Sequence, residues 1–145
     1  MKKLFCGICL VLLLFGYVWA HDETAVKVEV LTKTSLSWDG RALPDYEKGK
    51  PEITILKITI PPKVQLPLHE HPVINAGVLL IGALTVITDA GETLHLKAGD
   101  PIVEVVDKWH YGKNEGEEPA EIIVFYAGIK DQPITVKDSG KGIGR

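Results

Sequence analysis

The chain has 145 residues, 46% of them hydrophobic, and a net charge of −3 at pH 7, which suits one domain with a real core rather than two domains. It contains no basic patch or Arg-rich segment, which argues against a nucleic-acid partner, and no basic amphipathic helix that would bind a membrane surface. Its two cysteines, Cys6 and Cys9, both lie near the start, so the rest of the chain must be stabilised by packing rather than by disulfides.

Residues 1–20 have the features of a secretory signal peptide. Lys2 and Lys3 precede an apolar run that ends at Val18, and cleavage is expected after Ala20. The alternative is a membrane anchor, but the run is short for a spanning helix and no basic stop-transfer cluster follows it. We therefore expect a periplasmic or secreted protein that does not stay in the membrane. Its mature form would keep 14 of the 16 basic residues against 19 acidic ones, a net charge of −5, and no cysteine.

Residues 21–51 are predicted to form an N-terminal strand followed by an arm. Valines alternate with charged residues over 26–30, as in a strand with one solvent-exposed face. Residues 35–51 contain an Asp-Gly turn and two prolines, which interrupt regular structure. Trp38 and Tyr46 are expected to attach this arm to the domain surface or to a second subunit.

Residues 52–137 predict many short strands. We expect strands at residues 52–60, 76–81, 83–88, 92–97, 102–106, 121–126 and 134–137. The alternation slips at Ile55-Leu56, which predicts either a β-bulge or burial of both faces of the first of these strands. Turns are predicted at 89–91 and 98–100, and no segment has the period of a helix longer than about two turns. The pattern is typical of an all-β sandwich or barrel, followed by a flexible Gly-rich tail at 138–145.

Three histidines predict a metal site. His69 and His71 are two residues apart, and side chains at this spacing on a strand point to the same side. A third imidazole, from His110 on a later strand, would complete one face of a metal's coordination sphere. The alternative is that the histidines only pack or make polar contacts. His95 lies in a strand opposite its apolar neighbours and is predicted to face solvent.

Two motifs around these histidines resemble those of the cupin family. The first family motif is G-x5-H-x-H-x3,4-E-x6-G and the second is G-x5-P-x-G-x2-H-x3-N. The matching residues are His69, His71 and Gly82 in the first motif and Gly99, His110 and Asn114 in the second. The departures are Lys63 and Asp107 in place of glycines, Asn75 in place of the glutamate and Val105 in place of the proline. Sixteen residues separate the motifs, and the chain most resembles the small secreted single-domain cupins of bacteria.

The resemblance implies an all-β double-stranded β-helix, or jelly-roll barrel, with a cleaved signal peptide. It also implies that His69, His71, His110 and residue 75 meet at one divalent transition metal: Fe, Mn, Zn, Cu or Ni. Asn75 leaves two alternatives, a weak neutral carbonyl ligand or a side chain that bonds backbone and does not touch the metal. Glu104 is a candidate for a carboxylate that orients a ligating imidazole, and so is Asp107.

The function expected from this site is a metal-dependent reaction on a small molecule. Three protein ligands leave positions open for water or substrate. Without a charged ligand the metal would keep its +2 charge and favour an anionic or chelating partner, such as a carboxylate or a diketonate. Dioxygenase-type oxidation with Fe(II) is the favoured chemistry, and isomerisation or hydrolysis would use the same ligands. The alternative is a non-catalytic cupin that binds a metal or an anionic small molecule, so the sequence leaves open whether the protein is an enzyme. A homodimer is expected, because cupins often pair through their sheets.

Overall fold

The computed structural model describes residues 25–139. The predicted signal peptide, its cleavage site after Ala20 and the last six residues of the predicted tail lie outside the described residues. Within residues 25–139 there are nine strands and no helix, and consequently no helix long and apolar enough to cross a membrane. The strands are β1 (Pro51–Ile60), β2 (His69–Glu70), β3 (Ile74–Ile81), β4 (Ala83–Thr88), β5 (Thr93–Lys97), β6 (Pro101–Val103), β7 (His110–Lys113), β8 (Ala120–Ile129) and β9 (Val136–Lys137).

Two antiparallel sheets form the two layers of the fold. One sheet has the strand order β1-β8-β3-β6 and the other has the order β5-β4-β7-β2-β9. Their inner faces share one hydrophobic core, to which the first sheet contributes Leu79 and Val124 and the second contributes Leu84 and Val86. The predicted all-β, double-stranded β-helix is therefore confirmed.

The first long strand is regular, so both alternatives predicted for Ile55-Leu56 are wrong. All ten residues of β1 pair with β8 without a shift in register, which excludes a bulge. Leu56 and Ile58 face the core, whereas Ile53 and Ile55 are 52% and 63% exposed. The sequence pattern misled because an apolar outer face has the same composition as a buried one.

The strand predicted near the N-terminus is not formed over its described part. Residues 25–34 pair with no strand, and Val26, Val28 and Val30 are 91%, 86% and 72% exposed. Alternating valines favour a strand, but a strand also needs a neighbour to accept its backbone hydrogen bonds. Residues 29–32 border one cavity together with residues of β3, β6 and β8, but the segment makes no ladder with any described strand.

The arm is attached to the barrel by one of its two predicted aromatic residues. The backbone N–H of Trp38 donates to Val103 at the end of β6, at 2.9 Å, and the Trp38 side chain packs against the core. Tyr46 is 79% exposed, so it does not anchor the arm to the barrel, and its predicted alternative contact, with a second subunit, stays a prediction. The arm is thus fixed at its first turn.

Tight turns that contain glycine separate β3 from β4, β4 from β5 and β5 from β6. Gly82 divides β3 from β4 with φ of 77°, and a Cβ there would lie 2.6 Å from the carbonyl oxygen of Pro119. Only glycine avoids both the strained backbone and the clash. The turns predicted at 89–91 and 98–100 are also present. The strand predicted at 102–106 ends earlier, at Val103, and the one predicted at 121–126 extends to Ile129.

Candidate metal centre

Three imidazoles converge where β2 lies beside β7. His69 and His71 point to the same side of the chain as predicted, and His69 pairs directly with His110, the first residue of β7. The ring centroids of His69 and His110 are 4.5 Å apart, and that of His71 lies 5.0 and 5.1 Å from those two. One nitrogen atom from each ring lies within 4.8 Å of the other two, so the group could hold a metal ion.

The backbone determines which nitrogen of each ring is protonated. The three Nδ1 atoms lie 2.7, 2.8 and 2.8 Å from backbone carbonyl oxygens, which belong to Pro67, Ile134 and Lys108 for His69, His71 and His110 respectively. A carbonyl oxygen only accepts hydrogen bonds, so each Nδ1 must carry the proton and donate it. The Nε2 atom of each neutral ring keeps its lone pair, which is the form of imidazole that binds a metal.

The surroundings of the cluster keep the rings neutral and leave one lone pair unsatisfied. Burial lowers the pKa of His69 and of His110, and it lowers the pKa of His71 to about 4; the bonds to backbone carbonyls oppose this effect. The Nε2 of His110 is buried and has no hydrogen-bond partner among the described residues. An unpaired polar atom in the interior is unfavourable, and a bound cation would satisfy it. The three side chains therefore fit a divalent transition metal.

A cavity of about 50 Å³ adjoins the three imidazoles. Apart from the histidines, Glu104 and Tyr126, its walls are glycine and aliphatic side chains: Ile58, Ile60, Leu66, Leu84, Val86, Gly112, Ile122 and Val124. The ring of Tyr126 meets that of His71 edge-on, with centroids 5.3 Å apart. Burial and the neighbouring Glu104 raise the pKa of Tyr126 to about 12, so its hydroxyl stays protonated at neutral pH. Tyr126 was placed only on a predicted strand; an alternating strand does not reveal which inward side chain reaches a site.

Asn75 is buried but does not line this cavity. Its Nδ2 donates to the carbonyl oxygen of Val73 at 3.2 Å, as the alternative of a side chain that bonds backbone requires. Its Oδ1 has no hydrogen-bond partner among the described residues, as the alternative of a weak carbonyl ligand to the metal requires. A metal-ligand role for Asn75 therefore stays a prediction.

Neither carboxylate predicted to orient an imidazole does so, because all three Nδ1 atoms bond to carbonyls. Asp107 is exposed, at a turn with φ of 50°, and lies outside the cavity. Glu104 lines the cavity, and its Oε2 lies 3.7 Å from Nε2 of His110. Burial raises the pKa of Glu104 to about 7, although nearby His69 and the indole of Trp38 lower it. The indole approaches the carboxyl without making a hydrogen bond of normal geometry.

A buried lysine connects the arm to the third imidazole. Nζ of Lys108 donates to Asp39 of the arm at 3.0 Å and also to Glu92, while the carbonyl oxygen of Lys108 accepts the hydrogen bond from His110. The same residue thus holds His110 and the turn that carries Trp38. This connection was not predicted, because it joins residues that are far apart in the sequence.

Ionisation of Glu104 is expected to lower the stability of the metal-free protein as pH rises, relative to a Glu104→Gln variant; the three histidines, whose pKa values are lowered, act in the opposite direction and are common to both proteins. A carboxyl with a pKa of about 7 in the folded state and a lower one when unfolded stabilises the fold at low pH, and this contribution disappears as pH rises through 7. Between pH 5 and pH 8 the loss should be about 2 to 3 kcal/mol. Urea unfolding in the presence of a chelator would measure it. Glu104→Gln cannot ionise and should lack this loss, so parallel pH curves for the two proteins would contradict the assignment.

Comparison with known proteins supports the resemblance seen in the motifs. A sequence model described as a cupin domain matches residues 56–126, a range that includes all three histidines. No curated protein sequence matches the chain.

Several crystal structures share the fold. An uncharacterised conserved protein with a double-stranded β-helix domain from Klebsiella pneumoniae has a TM-score of 0.52 and 20% identity, covering 63% of this chain and 86% of that one. The oxalate decarboxylase of Lactobacillus farciminis, in its formate complex, has a TM-score of 0.51 and 23% identity. The match covers 59% of this chain and 26% of the decarboxylase. The DMSP lyase DddQ of Ruegeria pomeroyi has a TM-score of 0.54 and 17% identity. The match covers 74% of this chain and 50% of the lyase. At these identities the likeness shows the fold alone, and the chain matches only a quarter of the decarboxylase and half of the lyase. The matched family model and the two antiparallel sheets together show that the chain carries a cupin domain of the type-2 class. Its three histidines lie within the matched residues.

Proposed function

We propose that the protein binds one divalent transition metal through His69, His71 and His110 and acts with it on a small molecule. The observation that carries the proposal is the shared orientation of the three rings. Each Nδ1 donates to a backbone carbonyl, so all three rings keep a lone pair on Nε2, and the three rings are close enough for one nitrogen of each to lie within 4.8 Å of the others. Side chains that served only for packing would not require all three tautomers to agree.

Oxidation of a small carboxylate or diketonate is the reaction we favour. When bound, Fe(II) would supply the redox and Lewis-acid chemistry that such a reaction needs. The chain's own contribution is to hold three neutral ligands in place and to exclude bulk water with aliphatic walls. Tyr126, whose ring lies against that of His71 and whose hydroxyl stays protonated at neutral pH, lines the same cavity.

The size of the cavity restricts the substrate. Small-molecule sites commonly measure roughly 300–1,000 Å³, whereas this cavity measures about 50 Å³. A substrate of only a few heavy atoms is therefore favoured. The fold neighbour crystallised as a formate complex makes formate and oxalate reasonable first compounds for a screen.

The same measurement favours a second candidate function. A cavity this small, bounded by aliphatic side chains, suits a protein that captures a metal or a small anion without converting it. This non-catalytic candidate uses the same three histidines, so turnover alone distinguishes the two functions.

Metal content and oxygen uptake test the proposal together. The purified protein is expected to bind about one equivalent of Fe(II) or Co(II) and, when loaded with Fe(II), to consume O2 with one of a set of small carboxylates and diketones. His69→Ala should lose the metal, and the solvent-facing His95→Ala is the matched control. Wild-type protein that binds no divalent metal would refute the site. Tight binding without turnover across the screen would favour the non-catalytic candidate.

Export and self-association complete the proposal. Export to the periplasm or the medium is supported by the signal-like residues 1–20. A homodimer is supported by the outer face of the β1-β8 pair, where Ile53, Ile55, Ile123 and Phe125 are exposed. The mass of the exported protein under native conditions would report both its first residue and its number of subunits.

A further inference from the structure

One carboxylate in the cavity has no partner that balances its charge. The side chain of Glu104 is 11% exposed, and its Oε2 has no hydrogen-bond partner among the described residues. The only ion-pair contact found for it in residues 25–139 is with His110, at 3.7 Å. The ammonium group of the buried Lys108 pairs with Asp39 and Glu92. An isolated carboxylate in the interior is strongly unfavourable, so the site as built is suited to receive a cation.

Glu104 also lies directly across from the position where the family glutamate is missing. β3 and β6 pair with Ala76 opposite Val103, and the next pair in this register is Asn75 opposite Glu104. The backbone N–H of Glu104 donates to the carbonyl oxygen of Asn75 at 3.1 Å, so the register continues one residue beyond β6. Directly opposite residues of antiparallel strands present their side chains on the same face. The two positions can therefore serve the same site from neighbouring strands.

We infer that Glu104 is the fourth protein ligand of the metal and supplies the carboxylate that Asn75 cannot. The inference rests on the proposed function, because it requires the three histidines to bind a metal. Two ligand atoms on one transition-metal ion, each roughly 2.1 Å from it, are about 3 Å apart when adjacent and about 4 Å apart when opposed. The 3.7 Å between Oε2 of Glu104 and Nε2 of His110 lies in this range.

A carboxylate ligand changes the chemistry expected of the site. Three neutral imidazoles leave the ion with its full +2 charge, whereas three imidazoles and Glu104 leave a net charge of +1. The metal is then held more firmly, and the attraction for anionic substrates is weaker than the histidines alone would give. One fewer position is open to water or substrate, which agrees with the small volume of the cavity.

Metal affinity tests the role of Glu104. Dissociation constants for Mn(II) and Co(II), measured by competition with a chromogenic chelator, are expected to rise about 10- to 100-fold in Glu104→Gln. Glu117→Gln is the matched control, since it makes the same substitution at a carboxylate that is 83% exposed and lies outside the cavity, and it should change affinity less than threefold. A Glu104→Gln affinity within threefold of wild type would overturn the inference.

A second measurement uses wild-type protein and does not depend on a variant folding. The infrared difference spectrum on adding Mn(II) to metal-free protein should show a carboxyl band replaced by that of a metal-bound carboxylate. A spectrum with no carboxylate change would also overturn the inference. Neither result would argue against the role of the three histidines. If wild-type protein binds Mn(II) and the His69→Ala variant does not, the proposed function is upheld even if Glu104 plays no part.

Discussion

Replacing His110 by alanine is expected to weaken the binding of a divalent metal by at least ~100-fold. His110 is 1% exposed, its Nδ1 is held by the carbonyl oxygen of Lys108, and its Nε2 has no other partner among the described residues. The variant leaves His69 of β2 and His71, which follows directly after it, without the histidine that β7 contributes. Equilibrium dialysis with Co(II) would measure the loss.

The variant must be compared with one that removes an imidazole elsewhere. His95 is exposed, and its ring contacts Thr85 at 3.1 Å, so His95→Ala should bind Co(II) as wild type does. Circular dichroism of both variants would verify that the barrel is intact. If folded His110→Ala kept an affinity within threefold of wild type, the three histidines would not be the metal site.

Replacing Asn114 by alanine is expected to destabilise the fold by at least about 3 kcal/mol. The side chain is 0% exposed and makes three hydrogen bonds: Nδ2 donates to Ile60 at 3.0 Å and to Glu118 at 2.8 Å, and Oδ1 accepts from Gly116 at 2.9 Å. Alanine would leave three backbone groups without these partners, each unfavourable by about 1–3 kcal/mol. Urea unfolding monitored by tryptophan fluorescence would measure the change.

A neighbour in the same turn supplies the control. Glu117 is 83% exposed and pairs with Lys63 in solvent, so Glu117→Ala should change the free energy of unfolding by less than about 1 kcal/mol. Equal effects of the two substitutions would show that the buried amide does not hold the turn. Asn114→Asp keeps the acceptor but loses both donated bonds, so it should also be strongly destabilised.

The two motifs predicted the positions of the three histidines because a motif depends on backbone conformation as well as on the ligand residues. Lys63 and Asp107 stand where the family has glycine, and both keep a positive φ, of 63° and 50°. These positions need a left-handed backbone, which glycine adopts most easily. The chain has therefore kept the shape while losing the residue that best suits it, and the register of both motifs, with all three imidazoles, could be predicted.

What could not be predicted depends on pairing between distant segments. Glu104 is brought to the cavity by its alignment opposite Asn75, and Trp38 is brought to Glu104 by a turn of the arm that Lys108 holds through Asp39. No local periodicity encodes such contacts. The outward-facing Ile53 and Ile55 misled for a related reason, since composition does not say which face of a strand meets the core.

The direct pairing of His69 with His110 has a consequence for how the protein matures. These residues are 41 positions apart in the sequence and become neighbours only when β2 aligns with β7. The unfolded chain has no equivalent chelate, so a metal that binds the closed barrel must shift the folding equilibrium by mass action. A free metal concentration of one hundred times the dissociation constant adds about 2.7 kcal/mol to the free energy of unfolding. For a domain without a disulfide in its described part, the supply of metal where the protein folds would thus help to determine how much of it survives.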